Sequence, residues 1–218
     1  MKISIIISAY NTEKFLGRCL RSLISQNFKR EDYEIIIIDD GSLDNTETVI
    51  KAFSNEVIHL SNSKNIGLPA SLNKAIAIAQ GEYIVRVDSD DYVNKNFLLF
   101  LWEFIFFNQA QYDSVACDYF EVNDKEETIA RRSFKDHPIA CGFMFAKKHY
   151  DAIGGYDPKM KIHEDKEFSY RYQEKFSIAY LPIPLYRYRK HDSNMTNDIE
   201  KSNYYEDILK ERQEHGTV

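Results

Sequence analysis

The chain has 218 residues, of which 44% are hydrophobic and 28% charged; this composition is typical of a folded globular protein and excludes a disordered one. The formal net charge of -6 argues against nucleic acid as a partner, because a nucleic-acid-binding face needs clustered Lys and Arg. No stretch approaches the ~20 consecutive apolar residues that a membrane-spanning helix requires. The three cysteines, at positions 19, 117 and 141, lie far apart among apolar neighbours, which predicts buried free thiols.

Strands and helices alternate through the first half of the chain. Runs rich in Ile and Val predict buried strands at residues 3–8, 34–38, 56–60 and 83–87. Apolar residues at a helical spacing predict helices between them, at residues 15–24, 46–53 and 69–79. This alternation predicts one α/β domain with a mostly parallel central sheet and helices on both faces.

The second half is less regular and predicts a more open, mixed arrangement. Strands are predicted at residues 114–122, 140–146, 177–181 and 185–189, the last two divided by Pro182 and Pro184, and a helix at 164–175. Residues 97–107, FLLFLWEFIFF, are apolar all round, which favours a buried helix over a docking surface for a membrane or a partner. The polar residues 197–218 form a tail that we expect to be helical.

Polar residues follow each of the first four predicted strands, at the edge where an open parallel sheet binds its ligands. They occupy positions 8–11, 39–42, 62–67 and 88–91. Turn formation alone favours the same residue types. However, Asp88, Asp90 and Asp91 would repel one another unless a divalent cation lay between them, and oxygen ligands indicate Mg²⁺ or Mn²⁺. An EF-hand is excluded, because Val93 and Leu99 stand where it needs Gly and Glu.

Two common nucleotide-binding motifs are absent. Neither the G-x-G-x-x-G of dinucleotide-binding proteins nor the P-loop follows the first strand, since the first glycine, Gly17, already lies inside a predicted helix.

Seven motifs occur in an order that resembles the family 2 glycosyltransferases with a GT-A fold. They are IIISAYN, IIIIDDGSLDNT, NIGLPASLNKAIAIAQGEYIVRVDSDD, CGFMF, AIGGYDPKM, EDKEFSYR and YRYRKHDSNMT. The resemblance covers residues 1–196, and we expect residues 1–95 to bind the nucleotide sugar and residues 96–196 to bind the acceptor.

The resemblance implies a role for individual residues of a donor site. Ala9 and Tyr10 would lie beside the base and ribose, and the Asp40 carboxylate would accept a hydrogen bond from a uracil or thymine base. Asp88 and Asp90 match the family's D-x-D, with Asp88 near the ribose and Asp90 on the cation. Residues Gly67, Ser89 and Glu164 complete the predicted substrate-binding set.

The resemblance also implies catalytic and metal-binding residues. Asp165 would be the general base, although acidic residues at a helix start also occur for electrostatic reasons alone. His191 would supply a further contact to the metal or diphosphate; a plain surface histidine is the alternative. We expect Asp91 only to cap the segment that follows it.

One residue departs from the commoner family pattern. Leu72 precedes Asn73, where many members carry an Arg that contacts the diphosphate. We expect Arg86 to supply that charge; a side chain that reaches solvent from the strand is the alternative.

The sequence therefore predicts an inverting, Mn²⁺- or Mg²⁺-dependent transfer of one sugar from a UDP- or dTDP-sugar to a glycan or lipid-linked acceptor. The Q-x-x-R-W motif of processive synthases is absent. A non-catalytic nucleotide-sugar or glycan-binding module and a sugar-phosphate nucleotidyltransferase are the alternatives, although the latter should open with a glycine-rich loop. The expected location is cytoplasmic, with peripheral attachment at the inner membrane face as an option.

Overall fold

The first half of the chain forms the parallel part of one mixed sheet. In the computed structural model, which describes residues 1–192, 194 and 199–214, this part has the strand order β3-β2-β1-β4. The strands are β1 (Ile3–Ala9), β2 (Tyr33–Asp39), β3 (Ile58–Ser61) and β4 (Tyr83–Arg86). The helices between them are α1 (Glu13–Ile24), α2 (Thr46–Lys51) and α3 (Leu68–Ala77). The predicted parallel α/β arrangement is confirmed, because β1 pairs in parallel with β2 and β4, and β2 pairs in parallel with β3. Strands β1 and β2 are rich in Ile and buried on both faces.

The second half continues the same sheet with antiparallel pairs. The short strand β5 (Tyr92–Val93) ends the first half, and the strands of the second half are β6 (Ser114–Val122), β7 (Thr128–Arg132), β8 (Phe143–Ala146) and β9 (Ile178–Arg189). Its helices are α4 (Phe97–Asn108), α5 (Lys147–Ala152), α6 (Glu164–Gln173) and α7 (Ile199–Glu214). Strand β8 pairs with β4 and β6, which makes the sheet continuous across the two halves. The sequence did not predict β5, β7 or α5.

Strand β9 runs through both prolines, so the predicted division into two short strands is wrong. It pairs with β6 on one side and with the two residues of β5 on the other. Because β5 pairs only with Tyr186 and Arg187, Pro182 and Pro184 lie beyond it, and the register with β6 shifts around Asp118. A proline is tolerated where the sheet needs no N–H from it.

Hydrophobic cores cover both faces of the sheet, as predicted. One contains Ile5 and Ile37 with buried residues of α1 and α4, and the other contains Ile6 and Leu72 with aromatic residues of α5 and α6. All three cysteines are buried free thiols. None of the helices in the described part of the chain combines the length and hydropathy that crossing a bilayer requires.

Helix α4 is buried along only one side. Phe97, Leu98 and Leu101 are almost fully buried, whereas Phe106 and Phe107 in the last turn are 49% and 74% exposed. The prediction of a helix buried all round is therefore wrong for this turn, because no element of the described structure covers it. The role of α4 as a docking surface stays a prediction.

Candidate active site

The carboxyl ends of the parallel strands bring two loops into direct contact. The loop after β1 and the loop after β2 exchange hydrogen bonds: Asn11 N donates to Ser42 Oγ (3.0 Å) and Leu43 N to Asn11 Oδ1 (2.8 Å). Asn11 has a φ of 52°, a conformation that Asn adopts more readily than most residues. Ala9 is buried beneath this pair of loops, and Tyr10 projects from it with 43% of its surface exposed. The tyrosine ring is thus available to a planar ligand.

The Asp40 carboxylate is buried and accepts hydrogen bonds from the loop after β3. Its Oδ1 accepts from Asn62 Nδ2 (2.8 Å) and Ile66 N (2.9 Å), and its Oδ2 accepts from Gly67 N (2.9 Å). Gly67 has a φ of 95°, which favours glycine. A carboxylate has about four lone-pair sites, so one acceptor position remains beyond these three bonds. The predicted hydrogen bond to a base stays a prediction.

Arg86 connects the D-x-D segment to helix α6. Its Nε donates to Asp88 Oδ1 and its Nη1 to Glu164 Oε1, both at 2.8 Å. Arg86 is only 4% exposed, so the alternative that its side chain reaches solvent is wrong. The strand directs this side chain into the protein because two carboxylates there bind it. Its predicted contact with a diphosphate stays a prediction.

Glu164 and Asp165 begin helix α6 and lie in different surroundings. Glu164 is 5% exposed, and burial raises its pKa to about 7, against the lowering effect of the Arg86 charge. Asp165 is partly exposed. The residue before them, His163, has a φ of 62° and caps the helix in the left-handed conformation. Of the two carboxyl groups, only that of Asp165 is accessible to a ligand.

His191 contacts the second aspartate of the D-x-D segment. Its Nε2 lies 2.9 Å from Asp90 Oδ2, and its ring packs on Phe15 with centroids 4.7 Å apart. The His191 side chain is 8% exposed, so the surface-histidine alternative is wrong. Ser89, between the two aspartates, is buried.

Asp91 is tied to strand β9 instead of acting as a local cap. Its Oδ2 accepts from Tyr186 Oη (2.7 Å), and its Oδ1 accepts from Arg189 N (2.7 Å). The Tyr186 hydroxyl also accepts from Asp88 N (3.1 Å), and Arg189 Nε donates to the Asp90 carbonyl (2.9 Å). Burial raises the pKa of Asp91, and the neighbouring Asp90 and Asp88 charges raise it further. Sequence reasoning missed Tyr186 and Arg189, since only the pairing of β9 reveals them.

The residues around Asp90 fit a divalent cation that a substrate also binds. Within the described part of the chain, no three His, Cys, Asp or Glu side chains form a complete metal cage. Asp90 and His191 offer one carboxylate and one imidazole. Mg²⁺ and Mn²⁺ are commonly held by one or two carboxylates together with waters and substrate phosphates, so the Asp90 carboxylate fits such an ion.

The position of the missing family Arg is filled by a structural residue. Leu72 is fully buried, and Asn73 next to it binds the backbone of Tyr156, with Nδ2 donating to the carbonyl (2.8 Å) and Oδ1 accepting from N (3.0 Å). Arg171 of α6 also binds the loop that contains Tyr156, since its Nη2 donates to the Gly155 carbonyl (2.7 Å).

The structure resembles those of solved glycosyltransferases. It matches residues 1–349 of S. aureus TarS in complex with UDP-GlcNAc, with a TM-score of 0.82 and 23% identity over 96% of this chain and 65% of that chain. It also matches the mannosyltransferase PcManGT from Pyrobaculum calidifontis in complex with GDP-Man and Mn²⁺, with a TM-score of 0.72 and 15% identity over 88% of this chain and 58% of that one. These likenesses show the fold, and the predicted GT-A type is confirmed.

Curated relatives carry related names. The chain is 43% identical, over half of its length, to the poly(ribitol-phosphate) beta-glucosyltransferase of Bacillus spizizenii, of which the match covers 18%. It is 28% identical, over 91% of its length, to the putative glycosyltransferase EpsH of Bacillus subtilis, of which the match covers 64%. The chain thus spans less than two thirds of these relatives. The family model Glycosyl transferase family 2 matches residues 4–192, and the chain belongs to this family.

Proposed function

We propose that the chain is an inverting glycosyltransferase that moves one sugar from a UDP- or dTDP-sugar to a hydroxyl of a glycan or lipid-linked acceptor. The observation that carries the proposal is the Arg86 bridge, which joins Asp88 of the D-x-D segment to Glu164, the neighbour of the predicted base. The proposed donor-binding and proton-accepting groups would thereby share one site. A cytoplasmic location, with peripheral attachment at the inner membrane face as the alternative, rests on the family resemblance.

The donor nucleotide would bind across the loops after β1, β2 and β3. The exposed Tyr10 ring would stack on the base, and the remaining acceptor position of Asp40 suits the N3–H of uracil or thymine. Asp88 would bind the ribose, with one of its oxygens held by Arg86. Ala9, Gly67 and Ser89 would shape the floor of this site.

Asp90 and His191 would hold the Mn²⁺ or Mg²⁺ ion. When bound, the cation would neutralise charge on the departing diphosphate as a Lewis acid. The His191 ring holds the Asp90 carboxylate in place, since Nε2 lies 2.9 Å from Oδ2. Arg86 contributes to the donor site through Asp88, and we propose that its guanidinium also faces the diphosphate.

Asp165 would accept the proton of the acceptor hydroxyl on the face opposite the leaving group, so that one displacement inverts the anomeric configuration. Asp165 lies in the first turn of α6 and is partly exposed, whereas the neighbouring Glu164 is buried, so the acceptor hydroxyl would approach Asp165 and not Glu164.

A donor panel tests the proposal without a known acceptor. Released nucleoside diphosphate would be measured for common nucleotide sugars with Mn²⁺, Mg²⁺ or chelator, with water or added glycans as acceptor. We expect Asp165→Asn to lower the rate by ~10²–10⁴-fold, as loss of a general base does, while UDP still binds. Asp90→Asn should abolish metal-dependent UDP binding.

Asp151→Asn is the matched control, because Asp151 is an exposed residue of α5. Equal turnover with chelator and with Mn²⁺ or Mg²⁺ would show that the reaction needs no divalent metal. Full activity of Asp165→Asn would show that Asp165 is not the base. UDP binding with no release from any donor would favour the non-catalytic binding module. Release of pyrophosphate from a nucleoside triphosphate and a sugar phosphate would favour the nucleotidyltransferase.

A further inference from the structure

Helix α6 and strand β4 are joined by a buried ionic bridge between Arg86 and Glu164. Arg86 and Glu164 are 78 positions apart in sequence, and their side chains are 5% and 7% exposed. Arg86 also holds Asp88, whose side chain is 30% exposed. One buried guanidinium therefore connects a carboxylate that faces the donor site to the first turn of the helix that carries Asp165.

We propose that Arg86 and Glu164 are a positioning pair, which fixes Asp88 and Asp165 relative to each other and so aligns the donor with the base. This inference rests on the proposed function. Neither residue acts as the base or nucleophile: Glu164 Oε1 accepts from Arg86, and the group is closed off from solvent.

The geometry of the bridge suits alignment. The planar guanidinium donates in fixed directions, and here Nε and Nη1 each donate to a different carboxylate. Because Asp165 directly follows Glu164, a shift of the Glu164 side chain moves the backbone that carries Asp165. A misplacement of about 1 Å in a reacting group can cost about 100-fold in rate, so this connection has a measurable consequence.

Removal of one partner also leaves the other uncompensated. A buried charge without its partner is strongly unfavourable, and the segment that carries it moves or the group becomes neutral. Loss of Arg86 would release Asp88 and Glu164 together, whereas loss of the Glu164 charge would release only the α6 side.

The test separates alignment from binding through kinetics of nucleoside diphosphate release. We expect Arg86→Met and Glu164→Gln each to lower kcat by about 10–100-fold, as loss of supporting residues around a site typically does. The Kd for UDP with Mn²⁺ should change by less than about 3-fold in Glu164→Gln, because Arg86 still holds Asp88 there, and it should rise in Arg86→Met, which also releases Asp88. The double variant should be no slower than the slower single variant, since both changes break one bridge.

Conservative changes and a matched control keep the result independent of folding. Arg86→Lys retains the charge and should restore part of kcat, but not all, because one ammonium does not reproduce the two directed donors. Arg171→Met is the control, since Arg171 forms a comparable buried pair with Glu167 on the same helix (2.6 Å). It should lower the unfolding temperature without a matching loss of kcat.

Three results would overturn the inference. A rise in the UDP Kd with kcat unchanged in Arg86→Met would leave Arg86 as a donor contact without a positioning role. An equal fall of kcat in Arg171→Met would reduce the effect to general destabilisation. Additive losses in the double variant would show two independent roles. A wild-type chain that releases no nucleoside diphosphate from any donor would instead overturn the proposed function, and this inference with it.

Discussion

Three buried carboxyl groups at the candidate site, those of Asp40, Asp91 and Glu164, each accept hydrogen bonds from a segment distant in sequence. Asp40 accepts from two backbone N–H groups and an amide, and Asp91 from a tyrosine hydroxyl and a backbone N–H. Glu164 accepts from Arg86. Buried polar groups need such partners, so each group ties its own segment to a distant one. The residues next to them, among them Asp90 and Asp165, are thereby held in place.

A buried histidine far from these carboxylates gives a pH-dependent stability. The His149 ring stacks on Phe176 with centroids 4.1 Å apart, and its Nδ1 lies 3.1 Å from Tyr172 Oη. Burial lowers the pKa of His149 from its ordinary value of 6.5; the Asp113 charge raises it and the Lys148 charge lowers it. The unfolded chain therefore takes up this proton first as the pH falls. The stabilisation is complete above pH 6.5 and is lost as the pH falls toward the folded-state pKa.

The measurement is urea denaturation at about pH 8, where the stabilisation is complete, and at about pH 5, where His149 binds its proton more readily in the unfolded chain than in the folded protein. We expect the free energy of unfolding to fall less between these values in His149→Gln than in the wild type. His137→Gln, at an exposed position, is the control. Identical pH dependence in the wild type and His149→Gln would contradict the prediction.

At the scale of elements, the sequence predicts those strands and helices whose residues show a clear hydrophobic periodicity. Strands β1 and β2 and helices α1 and α3 carry clear periodicities, and the polar ends of the parallel strands indicate the donor side of the site. Strand β5 has two residues and β7 is largely exposed, so neither carries a hydrophobic signal. The links from Tyr186 and Arg189 to the D-x-D segment depend on pairing across the sheet, which local patterns do not encode.

The link between β9 and the D-x-D segment gives a second prediction. Tyr186→Phe removes a hydroxyl that accepts from Asp88 N and donates to Asp91 Oδ2. We expect a loss of about 1–3 kcal/mol in stability, because the partners stay buried without it. The affinity for UDP with Mn²⁺ should also fall, since the segment that carries Asp90 loses a support. Urea denaturation and calorimetric titration measure the two effects.

Tyr180→Phe on the same strand is the matched control, because Tyr180 is 41% exposed. It should change neither quantity appreciably. A Tyr186→Phe variant with full stability and unchanged UDP affinity would show that the D-x-D segment keeps its shape without β9.

At the scale of the whole molecule, the sheet joins the two sequence halves that the family resemblance distinguishes. Strand β4 of the first half pairs with β8 of the second, and β5 pairs with β9. The side chain of Trp102, the chain's single tryptophan, packs on Tyr83 (5.6 Å between ring centroids) and Phe28 (6.2 Å) from the first half. The two halves are therefore parts of one continuous sheet.

This arrangement predicts that residues 1–95 alone do not fold. Without α4 and β8, the almost fully buried Ile84 and Val85 of β4 lose their covering and one of their two strand partners, and most of the free energy of folding in a marginally stable domain goes with them. We expect the fragment to show no cooperative thermal transition by circular dichroism and a poorly dispersed amide spectrum. In the full chain, circular dichroism and Trp102 fluorescence should report the same midpoint, as for a two-state transition. A folded fragment, or two separate midpoints in the full chain, would make the halves independent domains and leave the Arg86–Glu164 bridge as a contact between them.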